Sequence, residues 1–158
     1  MTATRGYTLI ELLIVVTIMG ILVTFGVSAY GKAQQNQIAA TNSQKLLATL
    51  ESAENQANTG QKDCSGGFAG VNVTTIVGSS SLSTKTICSG GQHGATTTIT
   101  LTNAKFNNAY NLTFEPLAGG VNVGNSTSTN IDYTGSDGTI YQITVTNTGT
   151  ITYTGIIP

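Results

Sequence analysis

A carboxylate stands near the start of an apolar run long enough to span a bilayer, and few folds accept that arrangement. Gly6 is followed by Tyr7-Thr8-Leu9-Ile10-Glu11-Leu12-Leu13, and from Leu12 to Tyr30 the chain is almost unbroken in apolar character. About 20 apolar residues cross the hydrocarbon layer. An acidic residue at the middle of such a segment costs roughly 2.5–3.5 kcal/mol, and less near the interface. A carboxylate kept at that cost is expected to have a partner. In front of the run stands a short leader, Met1 to Gly6, whose charged side chain is Arg5. That positive charge predicts a cytoplasmic amino terminus, with everything after Tyr30 on the other side. A secretory signal would carry a small-residue cleavage site behind an apolar core of about 7–15 residues. Ala29-Tyr30-Gly31 suits that poorly, and a plain anchor has no use for Glu11.

This start resembles the class III signal of bacterial type IV pilins and type II secretion pseudopilins. The resemblance implies that a prepilin peptidase cuts the Gly6–Tyr7 bond and methylates the new amino terminus on Tyr7. It implies an assembly role for Glu11, in which the carboxylate meets the terminal amine of a neighbouring subunit. Two opposite charges in a low-dielectric layer are each expensive alone and much cheaper together. Gly20 and Tyr30 fall where helix residues of the family recur. Two positions depart from the pattern. Tyr7 replaces the more usual Phe, aromatic for aromatic. Ser28 occupies the place where many major pilins carry a proline, which would kink the helix; its absence leans toward a minor pilin or pseudopilin. The implied partners are other pilins or pseudopilins in a homo- or hetero-oligomeric filament, the prepilin peptidase, an inner-membrane platform protein, and membrane lipid before assembly. No cofactor is implied.

Beyond Lys32 the apolar pattern continues on one face. Ala39, Leu46, Leu50, Ala53 and Ala57 follow at helical spacings, with Gln35, Asn36, Gln44, Lys45, Glu51 and Asn55 on the other faces. No proline interrupts Tyr7 to Asn58, and Gly60 suits the position just past a helix end. A continuous helix of about 50 residues would be ~75 Å long.

From Val71 the pattern becomes β. The segments 71–77, 96–103, 110–115, 130–134, 139–147 and 150–154 are rich in β-branched and aromatic residues. Ser136-Asp137-Gly138 is a hairpin signal, and Asn147-Thr148-Gly149 gives a second short turn. The last three strands therefore read as an antiparallel meander. Phe114-Glu115-Pro116 followed by Gly119-Gly120 is similar to the heads of H-type minor pseudopilins and FimT-like minor pilins. The fold class expected is α+β: a long N-terminal helical stem packed on a small antiparallel β-sheet head. Its parts are a leader over 1–6, a transmembrane and assembly helix over 7–30, an amphipathic stem over 31–59, and a β-rich head over 60–158.

Charged residues make up only 8% of the 158, which bears on partners. Lys32, Lys45, Lys62, Lys85 and Lys105 are scattered singly, whereas nucleic-acid affinity needs clustered cations; nucleic acid is not expected as a ligand. Cys64-Ser65-Gly66-Gly67 recurs as Cys88-Ser89-Gly90-Gly91. Two cysteines in a head outside the inner membrane read as one disulfide, closing a loop that includes a Gly/Ser-rich stretch, Gly78 to Ser83. Such a loop contributes roughly 3–4 kcal/mol in the chain-entropy model. With lone His93, these cysteines fall short of the four ligands a zinc site wants. No nucleophile motif or carboxylate pair marks an active site, so an enzyme is not expected. The triplets at Asn72, Asn111 and Asn125 fit the N-glycosylation pattern, as a chain this rich in Asn and Thr would by composition. The functional expectation is a structural subunit of a type IV pilus or type II secretion pseudopilus. The alternatives are a major pilin of a surface fibre, or a tip or DNA-uptake binding module.

Overall fold

The computed structural model describes residues 8–157 except 61–63, 65, 91–92, 118 and 125; at 25–29, 93 and 157 it describes the main chain only. Two compact units divide the chain, Met1–Gln37 and Ile38–Pro158. Helix α1, Leu9–Thr59, contributes to both. It ends where the sequence predicts: Gly60 takes a left-handed φ of 63° and its N–H donates to the Gln56 carbonyl at 3.2 Å. The transition from helix to head needs that conformation, which glycine adopts without a Cβ clash.

Nine strands follow: β1 (Phe68–Thr75), β2 (Ser81–Cys88), β3 (His93–Thr100), β4 (Ala104–Phe106), β5 (Asn111–Phe114), β6 (Val121–Asn122), β7 (Ser128–Gly135), β8 (Ile140–Thr146) and β9 (Ile151–Ile157). They form two antiparallel sheets, β3-β2-β1-β5-β6 and β4-β7-β8-β9. The α+β class and the closing meander β7-β8-β9 agree with the sequence reading. One expectation is corrected. Ser81 to Ser83 belong to β2, not to a Gly/Ser-rich loop, because Leu82, Thr86 and Cys88 turn inward while β1 and β3 flank the strand on both sides. A central position with two partners overrides the low strand propensity of serine. The head divides its strands between the two sheets. β4 and β6 are too short to leave a periodicity in the sequence.

The core of the larger unit is built on the α1 stripe. Leu46, Leu50, Ala53 and Ala57 are all but inaccessible and Ala39 is buried; they cluster with Val71, Val73, Leu112 and Phe114 of the first sheet and Ile131, Tyr133, Ile143 and Val145 of the second.

Two buried polar residues on the same helix, Asn42 and Ser43, fix its position. The Asn42 side chain donates to the Thr102 carbonyl at 2.8 Å and accepts the Thr102 N–H at 2.9 Å, tying the turn between β3 and β4 to the helix. The Ser43 and Tyr133 hydroxyls lie 2.6 Å apart, and both also reach the Ala39 carbonyl, at 3.0 and 3.4 Å. Tyr133 stacks on Tyr141 with ring centroids 5.2 Å apart. Lys45 adds a contact to the Thr100 carbonyl at 2.8 Å. The two sheets meet through Tyr110, whose main chain bonds Thr75 of β1 while its hydroxyl accepts the Asp132 N–H of β7 at 2.9 Å.

Replacing Asn42 with Ala strips the Thr102 amide and carbonyl of their partner inside the head. The expected loss is roughly 1–3 kcal/mol, measured as a lower melting temperature. Burial pushes the Tyr133 phenol up to about 12, partly opposed by the Ser43 hydrogen bond, and burial also raises Tyr141. Unfolded phenols ionise near 10.0, so the head keeps this contribution below pH 10 and loses it as pH rises toward about 12. Denaturant midpoints are expected to fall across that window as phenolate absorbance rises.

Candidate functional site: the N-terminal helix segment

The sequence at the head of α1 is Thr8-Leu9-Ile10-Glu11, a capping-box pattern of Thr followed three residues later by Glu. Thr8 caps the helix. Its hydroxyl accepts the Glu11 N–H at 3.3 Å, and its carbonyl accepts the N–H groups of Glu11 and Leu12 at 3.1 and 3.3 Å. Glu11 is therefore in the first turn, where the positive end of the helix dipole favours a carboxylate. The sequence reading assigned Glu11 to a partner and missed this local role, although the Thr-x-x-Glu spacing carries the signal.

Around Glu11 and onward the segment is apolar on every face. Leu9, Ile10, Leu12, Leu13, Ile14, Val15, Val16, Ile18, Met19, Ile21, Leu22 and Val23 are all exposed. A helix that is hydrophobic all round belongs inside something apolar. Its polar side chains fit that demand. Thr17 donates its hydroxyl back to the Leu13 and Ile14 carbonyls at 2.7 and 2.9 Å, and Thr24 to Gly20 at 2.9 Å. Neither hydroxyl needs a partner from its surroundings. Among the described residues, no helix is long and apolar enough to cross a membrane. The run expected over 12–30 includes 25–29, where only the main chain is described. The side chain of Ser28 is among these, so the main chain alone speaks there: it is helical through 28.

Gly6, Tyr7 and Arg5 lie outside the described residues. Cys64 and Cys88 are joined as a disulfide with a Cα–Cα distance of 5.6 Å. The bridge ties the chain entering β1 to the end of β2, and the echoing Cys-Ser-Gly segments meet there: the Ser89 hydroxyl and N–H donate to the Gly67 carbonyl at 2.8 and 2.6 Å. His93 opens β3, and its side chain lies outside the described residues. Asp132 and Asp137 serve local structure. Asp132 accepts from the Gln142 amide at 2.9 Å, and the Thr139 hydroxyl and N–H hold the Asp137 carboxyl below its usual range. Asn72 and Asn111, of the glycosylation triplets, are hydrogen-bonded to each other at 2.7 Å; Asn125 lies outside the described residues. Among the described residues, no three His, Cys, Asp or Glu side chains gather where they could hold a metal.

A family model for the prokaryotic N-terminal methylation motif matches residues 1–27. The motif is that of type IV pilin-like class III signals; it supports a type IV pilin-like subunit and implies processing by a prepilin peptidase. It points to a structural protein and makes an enzyme unlikely. No curated protein and no solved structure matches the chain.

Replacing Thr8 with Ala removes the cap and is expected to cost about 1 kcal/mol in the first turn. Faster amide hydrogen exchange at Glu11 and Leu12, with the head amides unchanged, would report it.

Proposed function

We propose that this chain is a structural subunit of a type IV pilus or type II secretion pseudopilus, processed at Gly6–Tyr7, methylated on Tyr7 and assembled through its apolar helix. The observation that carries the reading is the methylation motif over residues 1–27 running directly into an exposed, all-round apolar helix. Before assembly the segment 7–30 resides in the cytoplasmic membrane as a single pass with the head on the outer side. The segment 31–59 then serves as the stem of a head over 60–158. On assembly the apolar helices exchange lipid for one another, with a platform protein as the expected partner at the membrane. Glu11 pairs with the amine of a neighbour's Tyr7, so that neither charge is left alone in the apolar layer. The helical main chain through Ser28, with no proline there, supports a minor pilin or pseudopilin.

Two substitutions separate pairing from capping. Gln serves a capping box as Glu does but carries no charge. With charge pairing, Glu11→Gln and Glu11→Ala both leave a neighbour's amine uncompensated, at roughly 3–5 kcal/mol. Both should then abolish sheared filaments while membrane insertion persists. Assembly rescued by Gln alone would reduce Glu11 to a cap. Mass spectrometry of the sheared and membrane fractions should find the chain beginning at methylated Tyr7; an intact Met1 start in both would overturn the reading.

A further inference from the structure

Four strand edges close the two sheets, and they are treated unequally. β6 is two residues long, and β4 is three with an exposed lysine at its centre, Lys105. Shortness and lysine are ordinary ways of blunting an edge. β3 and β9 are longer and carry no lysine of their own; each has a bulge beside its partner, at His93–Thr96 and at Tyr153–Gly155, and Lys45 of α1 reaches the Thr100 carbonyl at the end of β3. They run for eight and seven residues, contain no Lys, Arg, Asp, Glu or Pro, and among the described residues pair on one side only. β3 includes five β-branched residues in a row, Thr96 to Thr100.

The side chains at these edges are matched as well. Ile151, Tyr153 and Ile156 of β9 stand opposite Val145, Ile143 and Tyr141 of β8, on the face that builds the core. Yet Tyr153 is 44% and Ile156 64% exposed. The core face of the second sheet is thus left uncovered at its β9 margin. On β3, Ile99 stands opposite buried Leu82, so Ala95, Thr97 and Ile99 share the corresponding face of the first sheet. Each edge offers alternate N–H and C=O groups, an apolar margin on one face and threonines on the other. An added strand gains affinity from the main-chain bonds and selectivity from the alternate side chains.

We propose that the occupant is a second copy of this chain, with β9 of one head adding to β3 of the next. Neither strand carries Lys, Arg, Asp or Glu, and each offers a regularly paired run beside its bulge, Thr96 to Thr100 and Ile151 to Tyr153. Two different patches on one subunit make a head-to-tail contact that propagates into a helical array. A two-fold β9–β9 pairing would close at a dimer and leave β3 bare. The proposal rests on the filament reading and extends it from the helix to the heads.

The test is oxidative cross-linking of the full processed chain carrying Thr98→Cys and Thr152→Cys together, and each alone. The chain's own two cysteines are already bridged, so the new thiols are the reactive ones. Both positions are exposed and lie within the regularly paired runs of β3 and β9. The expected result is a ladder of dimers, trimers and higher species in the sheared fraction of the double variant, with neither single variant cross-linking. Filaments without a ladder overturn the head contact and leave the filament reading intact. Dimers from Thr152→Cys alone overturn it in favour of the two-fold pairing. When no filament forms, the same oxidation of the concentrated, detergent-solubilised chain decides: a ladder there sustains the edge contact and sinks only the filament reading, and its absence overturns the contact.

Discussion

The head depends on the burial of one helical stripe. Ala39, Leu46, Leu50, Ala53 and Ala57 of α1 form one core with residues of both sheets, and without them the inner faces of the sheets would lie open. A head of this size buries a limited core, so the placement of that helix matters more than it would in a larger domain. Non-directional apolar contact alone would let the helix slide by a turn. The Asn42 clamp on Thr102 and the Ser43–Tyr133–Ala39 contacts remove that freedom, because each works in one register only.

How much of this was legible in the sequence follows from the length scale of each signal. The stripe was legible because five residues at helical spacing leave a period, and all five are buried. The turns at Asp137-Gly138 and Thr148-Gly149 were legible because their chemistry is local: Gly149 sits at φ 93°. β2 was not, since Ser79-Ser80-Ser81 imitates a loop, and only its two neighbours make it a strand. Nor were the roles of Asn42 and Ser43. Both looked like ordinary polar helix residues, and what sets them apart is the approach of Thr102 and Tyr133, 60 and 90 residues away. For the candidate site the balance is different. The apolar segment and Glu11 could be read directly, whereas the cap at Thr8 was overlooked beside a more conspicuous carboxylate.

The disulfide occupies the same logic as the clamps. It joins the entrance of β1 to the exit of β2, where Phe68 pairs with Cys88 across a bulge. The regular ladder weakens at that point, and the covalent link together with the Ser89–Gly67 contacts holds the hairpin's open end. Few charges are involved anywhere in this scheme. Most of the contacts that fix α1 on the sheets are between neutral groups, which salt screens little.

The threonines of the apolar segment have one more implication. A hydroxyl bonded to its own helix asks nothing of what lies beside it, so Thr17 and Thr24 travel with their hydrogen bonds already made. Moving the segment from one apolar surrounding to another then breaks no side-chain bond along Leu9 to Thr24, and the exchange reduces to contact area and to the single charge at Glu11. Such a rod can change its apolar company without first breaking a bond of its own.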